Sequence, residues 1–269
     1  MILANLTYPC RRGVNMKNIQ YENGTVYYDL YGKGIPIIFI HPPGMGRRVF
    51  DRQQKLADKY LIVTPDLSGH GISSSSIQYS IIENYVEELK QIIDNEKFEE
   101  VIICGYSAGG AVAQEFAKAY PKITKALILS GGYPKVATIG LNLEYKLGMK
   151  LFKKSQKTLA RVLANSHTKD KGYREILYSH MLKSDFAHWY KFYDQTYHYN
   201  GVTDLDSLTM PLLLIYGANA FWINHHRVYY ERCPNHHVVY INNAFHQLPT
   251  KHWQPFNQII SEFIDSKLI

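Results

Sequence analysis

Apolar residues fall along the chain in two alternating patterns. The first is the short, nearly unbroken run. Ile35-Pro36-Ile37-Ile38-Phe39-Ile40, Leu61-Ile62-Val63-Thr64-Pro65, Ile102-Ile103-Cys104, Ala126-Leu127-Ile128-Leu129-Ser130, Pro211 to Tyr216 and His237 to Ile241 all have it. Such runs are the pattern of strands covered on both faces, as in a parallel sheet. The second pattern has a period of 3.6 residues. Ser76 to about Asn95 sets Ile81, Ile82, Tyr85, Val86, Leu89, Ile92 and Ile93 on one stripe. Gln254 to Lys267 turns Phe256, Ile259, Ile260 and Phe263 inward, and further helices are expected after Ser107 and from about Val49 to Lys59. Tyr21 to Tyr28 reads as two strands about an Asn23-Gly24 type I′ turn. The alternation predicts an α/β fold, a mostly parallel sheet with helices on both faces. Crossovers should be right-handed, and ligands should bind beyond the carboxyl ends of the strands.

Residues 133–203 break the alternation. They are helical by pattern, basic in the first half and aromatic in the second, with Phe186, Trp189, Tyr190, Phe192, Tyr193, Tyr197 and Tyr199 crowded together. These aromatics pack a small helical subdomain. An insertion between two sheet strands near their carboxyl ends is also well placed to be a lid. The expected organisation is an N-terminal extension over 1–17, a core over 18–132 and 204–269, and a helical cap over 133–203. Residues before about Lys17 read as a disordered extension, or as an upstream start with Met16 as the alternative first residue of the chain.

Composition narrows the classes. The 269 residues are 46% hydrophobic and 20% charged, an ordinary globular balance. No apolar run approaches the roughly 20 residues of a membrane span, and no apolar core follows Arg11-Arg12, so neither stable membrane insertion nor a signal peptide is expected. Cys10, Cys104 and Cys233 are odd in number and scattered, without metal spacing. They point to a reducing, cytoplasmic setting, with Cys104 a small core residue. The net charge is +7, and part of it clusters at Lys146, Lys150, Lys153, Lys154, Lys157 and Arg161. That run reads first as a solvated helix face, and second as attraction to an anionic membrane surface or substrate. No aromatic-interleaved basic motif accompanies it, so nucleic acid is not an expected partner.

The chemistry centres on Gly105-Tyr106-Ser107-Ala108-Gly109. It follows an apolar strand and opens an alanine-rich helix, the context in which G-x-S-x-G is a nucleophile elbow. A side chain at Gly105 or Gly109 would crowd the neighbouring backbone, and the serine itself would be strained. Three further motifs join it: His41-Pro42-Pro43-Gly44, Asp66-Leu67-Ser68-Gly69-His70-Gly71-Ile72-Ser73, and Ala244-Phe245-His246 before the last helix. Over about residues 18–267 the chain resembles the α/β-hydrolase superfamily, with residues 133–203 where that family carries its cap. The resemblance implies a serine hydrolase of the carboxylic-ester type. Ser107 would attack a small ester or similar activated carbonyl, with His246 as base and an acyl-serine intermediate. It implies no metal or organic cofactor. The expected partner is a small-molecule substrate with an apolar or aromatic group held under the cap.

Two positions depart from the family pattern. The acid is expected three residues after Gly217, where Ala220 stands, and Ser130-Gly131-Gly132-Tyr133 offers none at the alternative location. Ser107 and His246 working as a dyad, Asn219 orienting the imidazole, and a catalytically poor site all stay open. The last leads to a different class, a non-catalytic α/β-hydrolase-fold protein that binds a ligand or partner. For the oxyanion hole, Ala108 N–H is one expected donor. The other would normally come from Pro43, which has no N–H, so Gly44 or Met45 takes its place in the expectation.

Overall fold

The computed structural model describes residues 15–21, 24–74 and 80–268. Eight strands form one sheet: β1 (Asn15–Tyr21), β2 (Gly24–Tyr31), β3 (Pro36–Ile40), β4 (Leu61–Pro65), β5 (Val101–Tyr106), β6 (Thr124–Ser130), β7 (Leu212–Gly217) and β8 (His236–Ile241). Their order is β1-β2-β4-β3-β5-β6-β7-β8. β1 with β2 and β2 with β4 are antiparallel, and every other pair is parallel. The mostly parallel α/β sheet expected from the apolar runs is therefore present. Its first strand begins at Asn15, so residues 15–17 belong to the sheet and not to an extension. The antiparallel partner Leu30 opposite Asn15 accounts for this. The earlier residues, Cys10 among them, and the Asn23 turn position lie outside the described residues.

The period of two decides which face each strand residue serves. Ile38, Ile40, Ile103, Leu127 and Leu129 pack on one side, with helix α1 (Ile81–Glu96) and helix α2 (Gly109–Ala119). Ile37, Phe39, Ile102, Cys104 and Ile128 pack on the other, reached by Phe256, Ile260 and Phe263 near the end of the chain. Every residue of β5 is buried. Between β6 and β7 stand four helices, α3 (Ile139–Lys154), α4 (Gln156–His167), α5 (Lys171–Met181) and α6 (Phe186–His198). After β7 come the short α7 (Phe221–Asn224), then α8 (Leu248–Lys251) and the closing α9 (Trp253–Lys267) beyond β8.

The helix expected from Val49 to Lys59 is instead two 3-10 segments, Arg47–Phe50 and Gln53–Asp58. Side-chain anchors explain the tighter winding. Gln53 is buried and donates to Pro249 O and Asn257 Oδ1, both at 3.0 Å. Arg47 is buried among carboxylates. Its Nε donates to Asp29 Oδ2 at 3.0 Å, its backbone N–H to Asp66 Oδ1 at 2.7 Å, and its Nη1 to Asp66 Oδ2.

Asp66 also bonds His180 Nε2 at 2.8 Å, so an α5 side chain is tied into the turn that follows β4. Burial alone would raise the Asp66 carboxyl, but His180 and Arg47 outweigh it and hold the group well below the usual carboxylate range. Its stabilising contribution is therefore full above about pH 4 and is lost on acidification through the depressed value. Removing the carboxylate leaves the Arg47 charge buried without its main partner. Asp66→Ala should cost about 3–5 kcal/mol in urea unfolding. A loss below about 1 kcal/mol would show that the network does not hold the fold.

Candidate active site

The carboxyl ends of β5 and β8 bring together the two residues that the sequence reading paired. Ser107 follows β5 with a φ of 54°, a left-handed conformation uncommon for a side-chain-bearing residue. Close packing on both sides leaves the turn little room. A Cβ at Gly105 would lie 2.7 Å from Gly110 Cα, and one at Gly109 would lie 2.5 Å from Ile40 O. The Ser107 N–H donates to Ser130 O at 2.8 Å, which fixes the elbow to β6. His246 lies in the loop after β8, and its Nε2 is 2.8 Å from Ser107 Oγ. That is the geometry of a base within reach of a hydroxyl proton. Ala108 caps α2 and lines the same pocket beside Ser107, while the next N–H groups of the helix, Gly110 and Ala111, donate to Ser107 O at 2.9 Å and Ala108 O at 3.1 Å.

The other ring nitrogen of His246 is the unusual feature. Nδ1 is buried and, among the described residues, has no hydrogen-bond partner. Asn219 does not supply one. Its backbone N–H donates to Ala244 O at 2.9 Å, which pins the turn after β7 beside the His246 loop while leaving His246 Nδ1 unbonded. The expectation that Asn219 orients the ring is thus not met. Ala220 is buried, and its side chain carries no polar atom. The alternative acid position is closed sterically. Gly131 has a φ of 59°, and a Cβ there would lie 2.6 Å from both Nδ1 and Cε1 of His246. The imidazole occupies the space that a side chain after β6 would need. Burial, with no anion to offset it, pushes the His246 pKa down from its ordinary value to about 4.

The pocket around Ser107 holds about 100 Å³ and is lined jointly by the core and the inserted helices. Pro42, Pro43 and Met45 form one wall; Leu141, Tyr145, Leu163 and Tyr193 give an apolar and aromatic ceiling. Gly44 is not part of this wall. It packs beneath Trp189, where a Cβ would be 1.9 Å from the indole, and its carbonyl accepts from Ser184 Oγ at 3.2 Å. The second oxyanion donor is therefore not placed at Gly44, and the Met45 N–H is turned to Pro42 O at 3.3 Å. His41 is buried as a strut: its Nδ1–H donates to Pro42 O at 2.9 Å and its Nε2 accepts from Leu67 N–H at 3.1 Å.

Tyr106 and His167 were not singled out in the sequence. The Tyr106 OH donates to His167 Nε2 at 3.1 Å, and His167 Nδ1–H donates to Leu163 O at 2.8 Å. The Tyr106 ring lies against His246 with centroids 5.4 Å apart. A residue of α4 thus braces the ring that backs His246. Tyr106 stands inside the elbow motif, but its partner is 61 positions away, and no local pattern marks it. Glu144 of α3 also lines the pocket, its Oε2 accepting from Trp222 Nε1–H at 2.8 Å.

A strained serine above a helix start, a histidine at hydrogen-bond distance and a parallel sheet beneath them define an α/β hydrolase. Residues 51–251 match the family of serine aminopeptidase S33, and the chain belongs to that family. Among relatives by sequence, the uncharacterized hydrolase YcgS of Bacillus subtilis is 30% identical over 139 residues, 51% of this chain and 49% of that protein. Lipase LipV of Mycobacterium tuberculosis is 35% identical over 101 residues, 37% of this chain and 38% of its own length. The chain thus spans about half the length, or less, of these relatives. The fold is shared with the bromoperoxidase of Bacillus anthracis, at a TM-score of 0.83 and 17% identity, over 94% of this chain and all of that one. It is shared also with a thermophilic esterase of Thermogutta terrifontis, at a TM-score of 0.79 and 18% identity, over 95% and 100%.

If His246 is the base, the acidic limb of kcat/KM reports its protonation in the free enzyme. The limb should fall near pH 4, with a flat profile from there through neutrality. A limb at about 6.5, the ordinary histidine value, would show that the ring is solvated or paired with an anion.

Proposed function

We propose that the chain is a serine hydrolase that cleaves a small carboxylic ester, or a similarly activated carbonyl, through an acyl-serine intermediate. The observation that carries this reading is the 2.8 Å contact of His246 Nε2 with Ser107 Oγ inside a pocket. Ser107 Oγ attacks the carbonyl while His246 Nε2 takes its proton. The Ala108 N–H faces the oxygen that becomes negative. The imidazolium returns the proton to the leaving group, and a water deprotonated by the same nitrogen then releases the acid. The helical insertion acts as a cap whose tyrosines and leucines hold the apolar or aromatic part of the substrate.

The empty side of His246 bears on substrate class. Forming an imidazolium with a pKa near 4 costs roughly 3 kcal/mol more than at an ordinary histidine. Substrates with good leaving groups tolerate that cost better than peptides do, which favours esters over amides. The same feature supports a second reading, a non-catalytic protein that binds a ligand on this fold.

Fluorophosphonate labelling separates the two readings. Ser107 should label in the folded protein, and Ser107→Ala and His246→Ala should each lower turnover of a short p-nitrophenyl ester by at least about 10³-fold. An unlabelled serine, or an unchanged rate in either variant, would contradict the hydrolase assignment. Ala220→Asp should raise the rate, by at most about 10⁴-fold, and move the acidic limb to higher pH. An unchanged rate and limb would mean that position 220 is not where the missing acid would act.

A further inference from the structure

Helix α3 carries an apolar stripe on the face it turns to water. Leu141, Tyr145, Gly148 and Phe152 are buried inward. On the opposite face Ile139, Leu143 and Leu147 follow one another at steps of four and are 80%, 59% and 58% exposed. The same face continues as Lys146, Lys150, Lys153 and Lys154, all exposed. Lys157 follows at the start of α4, and among the described residues none of these five lysines is paired with a carboxylate.

The stripe does not end with the helix. Trp222 of α7 sits on Gly140, where a Cβ would be 2.5 Å away, and its ring lies 6.5 Å from that of Phe245. Phe221 is 74% exposed and Phe245, next to His246, is 53% exposed. Phe245 directly precedes His246, and the inward side of the same helix, with Leu141, Glu144 and Tyr145, lines the pocket. A folded domain seldom leaves such neighbouring apolar side chains in water unless they meet something.

We propose that this face, α3 with Phe221 and Phe245, docks on an anionic lipid surface. The apolar half would enter the headgroup–acyl boundary, and the lysine half would meet the anionic headgroups with stems lying along the apolar surface. The chemistry of the flanking charge selects this occupant. A second copy of the chain, packed face to face, would bring unpaired lysines against lysines. The docking is peripheral: no described helix is long and apolar enough to cross a membrane. It does not depend on acyl-serine chemistry and is read without turnover.

The test is co-sedimentation of the full chain with vesicles of phosphatidylcholine alone and of phosphatidylcholine with about one third phosphatidylserine. The anionic vesicles should bind it, with affinity falling steeply as salt rises. Leu143→Asp with Leu147→Asp should weaken binding by about 10-fold or more. Lys150→Glu with Lys153→Glu and Lys154→Glu should weaken it by on the order of 100-fold. All these positions are exposed, and an unchanged thermal midpoint checks that each variant is folded. No binding, or equal binding to both vesicles that the lysine reversals leave intact, would overturn the proposal. So would a concentration-dependent dimer that Leu143→Asp abolishes, since the face would then belong to a second copy.

Discussion

Everything at the candidate site depends on one turn, the left-handed Ser107 between β5 and α2. Its conformation is costly, on the order of 1–3 kcal/mol, and persists only because its surroundings over-determine it. The backbone bond to Ser130 and the close approaches at Gly105 and Gly109 do this. The turn lifts the hydroxyl off the sheet toward His246 and leaves the start of α2 beneath the reacting position. The parallel strands then deliver the remaining parts to the same edge: the 41–46 loop after β3, Gly131 after β6, the Asn219–Ala220 turn after β7 and His246 after β8.

The inserted helices are not a loose addition to that edge. His180 of α5 bonds the buried Asp66, which also holds Arg47, so the insertion and the core share one charge network. His167 of α4 accepts from the Tyr106 hydroxyl, whose ring lies directly against His246. Displacing α4 would therefore disturb His246 as well as the pocket ceiling. The pocket is made of both parts, and its shape depends on their remaining docked.

Much of this was legible in the chain because its strands are buried on both faces. An unbroken apolar run such as Ile37 to Ile40 states both the strand and its place within a parallel sheet. The glycine-flanked Ser107 and the position of His246 after the last strand were readable for the same reason: local pattern and chain order specify them. What could not be read depends on direction. Asn219 lies in the expected turn, but its backbone is spent on Ala244 and its side chain does not meet the ring. Gly44 follows the right motif, but Trp189, 145 positions later, decides which way it faces. The segment after Val49 has helical composition, yet Arg47 and Gln53 reach distant partners that tighten it into 3-10 turns. On α3 the periodicity announces a helix, whereas the outward set of its leucines is visible only once Tyr145 and Phe152 have been placed inside.

His246 stands 2.8 Å from Ser107 Oγ with, among the described residues, no carboxylate bonded to its other ring nitrogen. Nitrogen-15 NMR of the His246 imidazole in the resting protein, followed across pH, tests this most directly. The ring should remain neutral until the solution approaches pH 4, with its proton on Nδ1 and Nε2 facing Ser107. A ring that takes up its proton near pH 7 or above would contradict the account, because only an undetected anion or open solvent at Nδ1 could hold the charge there.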